Sequence, residues 1–326
     1  MVGAGEVVYS FAFAGRPDLD VCLGILSLGG GSRRAEFCAM GLGSEDSNHV
    51  YRFPAPLPGD TLSWFRTSGV IPDPINNALT EVGIVKATMA TRSQFIAVRN
   101  FPTTSSTGQV QSQASSLRAL GDGRLAYVGL QTMQRSVCTP MGCSNESYLS
   151  GREVTFINPA QQNGQPAAVP GTDYASSVSR GSNPGDIIYT LAGDSRVYAR
   201  SASGTTTVLH DFGAPLIARD AYLAANRLVA VVGGSADTVM NAAGDRIQRD
   251  RGGVLVVVDL ASGAETPFTE PSLKRWPVLS PDGRSIVVQA FPFRLDSIFD
   301  PNDGSILIAV DTVLTSAGDL YRYDLP

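Results

Sequence analysis

Four cysteines carry the clearest chemical pattern in this 326-residue chain. Cys22 and Cys38 lie symmetrically about Gly30, in the middle of the run Gly29-Gly30-Gly31. If that run is a hairpin tip, the two thiols face each other on adjacent strands, close enough to bridge at a non-hydrogen-bonded pair. Cys138 and Cys143 enclose Thr-Pro-Met-Gly, a short loop that a second bridge would staple. Two local pairs point to an oxidising compartment, the alternative being four ordinary buried thiols. Zinc is disfavoured, because the Cys138/Cys143 pair has no second close Cys or His pair and the chain holds only His49 and His210.

Other constellations give less. A serine hydrolase needs a Gly-x-Ser-x-Gly elbow and a partnered histidine, and neither is written here. His210 reads as a strand-end residue and His49 as part of a polar loop, and two histidines cannot supply a channel metal. Asp300-Pro301-Asn302-Asp303-Gly304 has oxygen ligands, but its order is one residue off a calcium loop, so it reads as a turn. Asp18, Asp20, Glu45 and Asp46 read as solvated. Paired carboxylates for glycoside hydrolysis stay open, since spacing alone selects no pair among 30 acids. Gly29-Gly30-Gly31-Ser32 lacks the lysine of a phosphate loop. Asn145-Glu146-Ser147 is a glycosylation triplet with meaning only in a eukaryotic secretory host. No cofactor and no metal are expected.

The elements that would position such residues are strands. Gly 34 and Pro 20 punctuate the whole chain, so that scarcely any twelve-residue stretch keeps a helical period free of breakers. A net charge of −5 argues against nucleic acid or anionic lipid as partner. Three short basic clusters, Arg33-Arg34, Lys274-Arg275 and the mixed segment 246–251, read as solvated turns or strand ends. No run approaches the roughly 18 to 20 apolar residues of a membrane-spanning helix. Residues 1–14 do not read as a signal peptide, so a location outside the cytoplasm implies a leader that this sequence lacks.

Trp276-Pro277-Val278-Leu279-Ser280-Pro281-Asp282-Gly283-Arg284-Ser285-Ile286-Val287-Val288 reads as strand, tight turn, strand. Pro281 presets φ, Gly283 supplies the positive φ, and Asp282 bonds the backbone across the corner. Looser copies turn at Gly59, Gly123, Gly185 and Asn226, roughly 40 to 65 residues apart, the period of a repeat architecture. Asn226 stands where glycine is expected, and asparagine is the non-glycine residue that best tolerates the left-handed region. Most units carry a second hairpin, giving four antiparallel strands a-b-c-d. Strand c of the fifth unit, 254–258, is apolar on both faces, as a sheet packed between two neighbours requires. Six units follow, at 1–46, 47–105, 106–171, 172–213, 214–270 and 271–326, with the first lacking strand a. A seventh anchor at 298–308 is the alternative. The chain is expected to be one all-β domain, a six-bladed propeller closed by its ends.

Leu279-Ser280-Pro281-Asp282-Gly283-Arg284, followed by an apolar strand and by Asp319-Leu320-Tyr321-Arg322-Tyr323-Asp324-Leu325, resembles the TolB-like, WD40-like propeller repeat. The resemblance implies the fold and carries no functional residue, because the matching positions are turn residues. Its relatives serve as envelope scaffolds, as gating domains of peptidases or as extracellular domains. The expectation is therefore a non-catalytic protein-interaction scaffold in the periplasm or outside the cell, binding protein partners, peripheral to a membrane complex. Contact residues are expected in long b–c loops at 132–153, 235–252 and 293–318: Met133, Met141, Tyr148, Met240, Phe293 and Phe299. The competing reading is an enzyme or carbohydrate-binding propeller with a small-ligand site in its central channel.

Overall fold

A computed structural model describes residues 6–11, 22–27, 33–38, 49–57, 61–68, 81–88, 94–99, 104–105, 108–109, 111–139, 142–161, 166–234, 238–240, 246–248, 253–269, 272–299, 307–314 and 319–326. The first sheet is a meander of β1 (Glu6–Phe11), β2 (Cys22–Ser27) and β3 (Arg33–Cys38). The second holds β4 (His49–Leu57), β5 (Thr61–Ser68), β6 (Glu81–Thr88) and β7 (Gln94–Arg99) in chain order. A short ribbon, β8 (Thr104–Ser105) with β9 (Gly108–Gln109), precedes the third sheet. That sheet is β10 (Gln111–Ala119), β11 (Leu125–Thr139), β12 (Gly142–Ile157) and β13 (Ala167–Ala168). The fourth is β14 (Ala175–Arg180), β15 (Ile187–Leu191), β16 (Arg196–Arg200) and β17 (Thr206–Asp211).

In the fifth sheet β18 (Leu216–Ala224) and β19 (Arg227–Gly234) are followed by a separate ribbon, β20 (Thr238–Met240) with β21 (Arg246–Gln248). The sheet then continues with β22 (Val254–Asp259) and β23 (Glu265–Phe268). The last sheet joins β24 (Ser272–Leu279) to β25 (Ser285–Phe299), which pairs with β26 (Leu307–Leu314) along its second half and with β27 (Asp319–Asp324) along its first. The first strands β1, β4, β10, β14, β18 and β24 touch one another in that order, so they lie innermost and the sheets radiate from them as blades. Four blades are complete four-stranded meanders among the described residues, where six of four strands each are expected. In the first sheet β1 is the innermost strand, so strand a, expected to be missing there, is present.

Local chemistry explains the turns. Positive φ is observed at Gly123, Gly185, Asn226 and Gly283, four of the five expected anchors, while Gly59 lies outside the described residues. Asp282 Oδ1 accepts from the Arg284 amide at 3.1 Å and from the Ser280 hydroxyl at 2.5 Å. Asp122 repeats the arrangement, accepting from the Arg124 amide at 3.0 Å and its Nε at 2.7 Å. Between blades the core is aliphatic and two-sided. Val256 and Val258 of β22 pack towards Ile188 and Val197 of the fourth sheet, and Leu255 and Val257 pack towards Leu279, Ile286 and Val288 of the last. Full burial of each such side chain stabilises by roughly 1.5–3 kcal/mol.

The described residues of the expected b–c loops form strands. β11 and β12 run on in register from Gly129↔Glu153 past a bulge to Thr139↔Gly142, forming a long hairpin arm. β25 and β26 form a second arm from Phe293↔Leu314 to Phe299↔Leu307. Pairing within each arm satisfies backbone groups that an irregular loop would leave to water.

Candidate functional site

The innermost strands are where successive blades touch one another. Their backbone is irregular in a repeated way. Pairing with the second strand slips between Arg52 and Ala55, Ala114 and Leu117, Ala175 and Ser177, Ala218 and Asp220, and Arg275 and Val278. A bulge adds a residue to one strand, bends it and re-aims a side chain, and bulges concentrate next to functional sites. The innermost strands also invert the charge of the chain. They carry Arg52, Arg118, Arg180, Arg219, Lys274 and Arg275 against the acids Glu6 and Asp220. The whole chain has 30 acids against 25 Lys and Arg.

Lys274 and Arg275 are therefore not a solvated strand end, as their adjacency suggested. Lys274 is 0% exposed, and its Nζ donates to the carbonyl and the hydroxyl oxygen of Ser272 at 3.3 and 3.2 Å. Its backbone bridges Gly253 across the sheet edge. The Arg275 guanidinium lies 4.9 Å from the Phe291 ring centre and 5.9 Å from that of Trp276. Trp276 itself sits at φ 52° inside the bulge, a conformation that a bulky residue adopts only when its surroundings impose it. Arg219, 7% exposed, is the extra residue of the β18 bulge. Its carbonyl accepts from the Thr190 hydroxyl of the neighbouring blade at 3.2 Å, and Gly233 leaves room for its guanidinium.

Towards the a–b turns, three blades converge on one ring. Arg118 at the end of β10 and Arg180 at the end of β14 lie 5.9 and 6.0 Å from the ring centre of Tyr222 on β18. Arg118 Nε is buried without a hydrogen-bond partner among the described residues. Each cation–π contact is worth about 0.5–1 kcal/mol at a partly exposed site. Sharing one ring keeps the two cations within about 12 Å, where repulsion at an effective dielectric of ~20 is about 1 kcal/mol or more. Attraction to the ring and mutual repulsion are thus of similar size. An anion between the guanidiniums would tip the balance strongly.

Around the b–c turn of the fourth blade, Asp194 accepts from Arg196 Nε and Nη2, both at 2.8 Å, and from the Tyr198 hydroxyl at 2.7 Å. Burial alone would raise its carboxyl, but the bonds from Arg196 and Tyr198 outweigh it and hold the pKa below the usual value. Burial, followed by the bond to Asp194, pushes Tyr198 up to about 12. Glu153, at the base of the β11–β12 arm, is raised by burial and then by the charge of Asp173. Among the described residues no three His, Cys, Asp or Glu side chains group to hold a metal.

The residues singled out from sequence scatter. Cys22 stands opposite Cys38 in the β2–β3 register, and Cys138 opposite Cys143 in the β11–β12 register. Met133 and Tyr148 are opposite one another on the arm, Met240 lies on β20, Phe293 and Phe299 lie on β25, and Met141 is outside the described residues. Those that are described lie on strands other than the innermost ones. His210 Nε2 is 2.8 Å from Glu265 Oε1 and its ring meets Phe212 edge-on at 4.6 Å, a structural role. Segment 300–304, Asp18, Asp20, Glu45 and Asp46 fall outside the described residues. The innermost cations were missed, although a signal existed: Arg118 and Arg180 each stand five residues before the turn glycine of their unit, Gly123 and Gly185.

No family model matches the chain, and no curated protein matches it by sequence. Solved structures do match in shape. A luciferin-regenerating enzyme is 10% identical over 99% of this chain and 88% of its own, with a TM-score of 0.53. Regucalcin from Agrobacterium tumefaciens, a calcium-binding protein, is 10% identical over 97% of this chain and 87% of its own, at 0.51. A nidogen/laminin complex gives 9% identity over 88% of both chains, at 0.50. The fold is a β-propeller. At such identities the likeness establishes fold alone. The expectation of a non-catalytic scaffold is nevertheless corrected: solved propellers similar in shape include an enzyme and a calcium-binding protein, and the channel alternative is carried forward.

Proposed function

We propose that this chain is an enzyme of the propeller class that takes a small molecule in its central channel. The observation that carries the reading is the set of bulged, cation-bearing innermost strands, three of which bring Arg118, Arg180 and Tyr222 together. Pockets of this kind place a few polar groups within a largely apolar wall. A luciferin-regenerating enzyme and a calcium-binding protein of the same fold support a small-ligand role by analogy. We further read the first and last sheets as completing a six-bladed ring of the TolB-like kind, supported by the Ser280-Pro281-Asp282-Gly283 turn. Facing cysteine registers support a location outside the cytoplasm.

Incubating the full chain with a defined mixture of small metabolites, and following each by mass spectrometry, tests the catalytic reading. Time-dependent loss of one compound with appearance of a product is expected. Conversion by none of them, together with saturable binding of a folded protein in its place, would overturn it.

A further inference from the structure

We propose that the channel ligand is an anion, and that Arg118 and Arg180 bind its carboxylate or phosphate group against the ring of Tyr222. The inference rests on the channel reading and deepens it by naming the ligand class. Three strands of three blades deliver these side chains to one place, with both guanidiniums about equally far from the same ring centre, at 5.9 and 6.0 Å. Among the described residues neither guanidinium has a carboxylate partner, and Arg118 Nε is a buried donor with nothing to donate to. Native structures rarely bury a donor unsatisfied unless a ligand, ion or water completes it. Two arginines at turns differ in this respect. Arg124 is bound to Asp122 at 2.7 Å and Arg196 to Asp194 at 2.8 Å. A planar guanidinium fork matches a carboxylate or phosphate in two parallel bonds, and two forks over an aromatic floor would hold one such group on two sides. Arg118 and Arg180 are binding residues in this account.

Isothermal titration of the full chain with citrate, glucuronate and inorganic phosphate, beside neutral glucose, tests the proposal. At least one anion is expected to bind one to one while glucose does not. Arg118→Gln and Arg180→Gln should each weaken that binding roughly tenfold or more, as loss of a charge-assisted bond implies. Arg124→Gln, on the exposed turn, should leave it unchanged, and circular dichroism with a thermal melt shows that each variant is folded. Anion binding undiminished in both folded variants overturns the proposal, as does failure of all three anions. Glucose binding with no anion bound overturns the anion claim and leaves the channel reading standing.

Discussion

Ala225 and Asn226 both sit at positive φ, 46° and 61°, in the two-residue turn that joins Ala224 to Arg227. Such a turn wants Asn-Gly or a similar pair, so alanine is strained there. Ala225→Gly is expected to stabilise the fold by up to about 1 kcal/mol, read as a higher denaturant midpoint. Gly283→Ala should do the reverse, since its φ is 68° and an added Cβ would stand 3.0 Å from Ala225 Cβ; about 1–2 kcal/mol of stability should be lost. Asp194 makes a pH-dependent contribution. Its carboxyl pKa is lowered by folding, so its stabilisation is present above the unfolded value near ~4 and drains away as pH falls through the folded one. Asp194→Asn should therefore lower stability by about 1 kcal/mol at neutral pH, after allowance for solvent screening, and by progressively less in acid melts. Turn residues were legible in the sequence because φ is a local property: Pro281, Asp282 and Gly283 state their geometry without reference to any other blade.

Strands were legible where alternation met a two-sided core, as at 254–258, and illegible where it did not. The arm of β11 and β12 is polar along most of its length, for instance Gln131, Gln134, Ser144 and Ser147, so nothing marks a buried face and it reads as loop. Lys274 and Arg275 are misread for a related reason. Adjacent residues in a strand point to opposite sides, and only the ring determines that both sides are interior. Two expectations separate blade from arm. Leu255→Ala, in a strand buried on both faces, should destabilise by about 2–5 kcal/mol in chemical denaturation. Replacing 135–146 with a two-residue turn should leave the blades folded, because the β10–β11 pairing ends at Thr132, before the excised part. Ligand binding should survive that excision. Its loss would place the site on the arm and away from the channel.

At the scale of the molecule, an acidic protein carries a local excess of basic residues on its innermost strands. Composition could not reveal this, because an average of −5 over the chain hides six basic residues on the innermost strands. If the channel takes an anion as proposed, ligand association should weaken as ionic strength rises. The facing cysteine pairs belong to the same scale, since they bear on compartment. Thiol counting on unfolded, unreduced protein should find no free thiol, and four would remove the argument for an oxidising location. The most direct test of the channel is a thermal-shift profile across a small-metabolite library, run in parallel on the full chain and on its Arg118→Gln/Arg180→Gln form. Stabilising compounds should be predominantly anions, and their effect should vanish in the double variant. A library in which no compound shifts the wild-type protein, or in which the same compounds shift both proteins equally, would contradict the account.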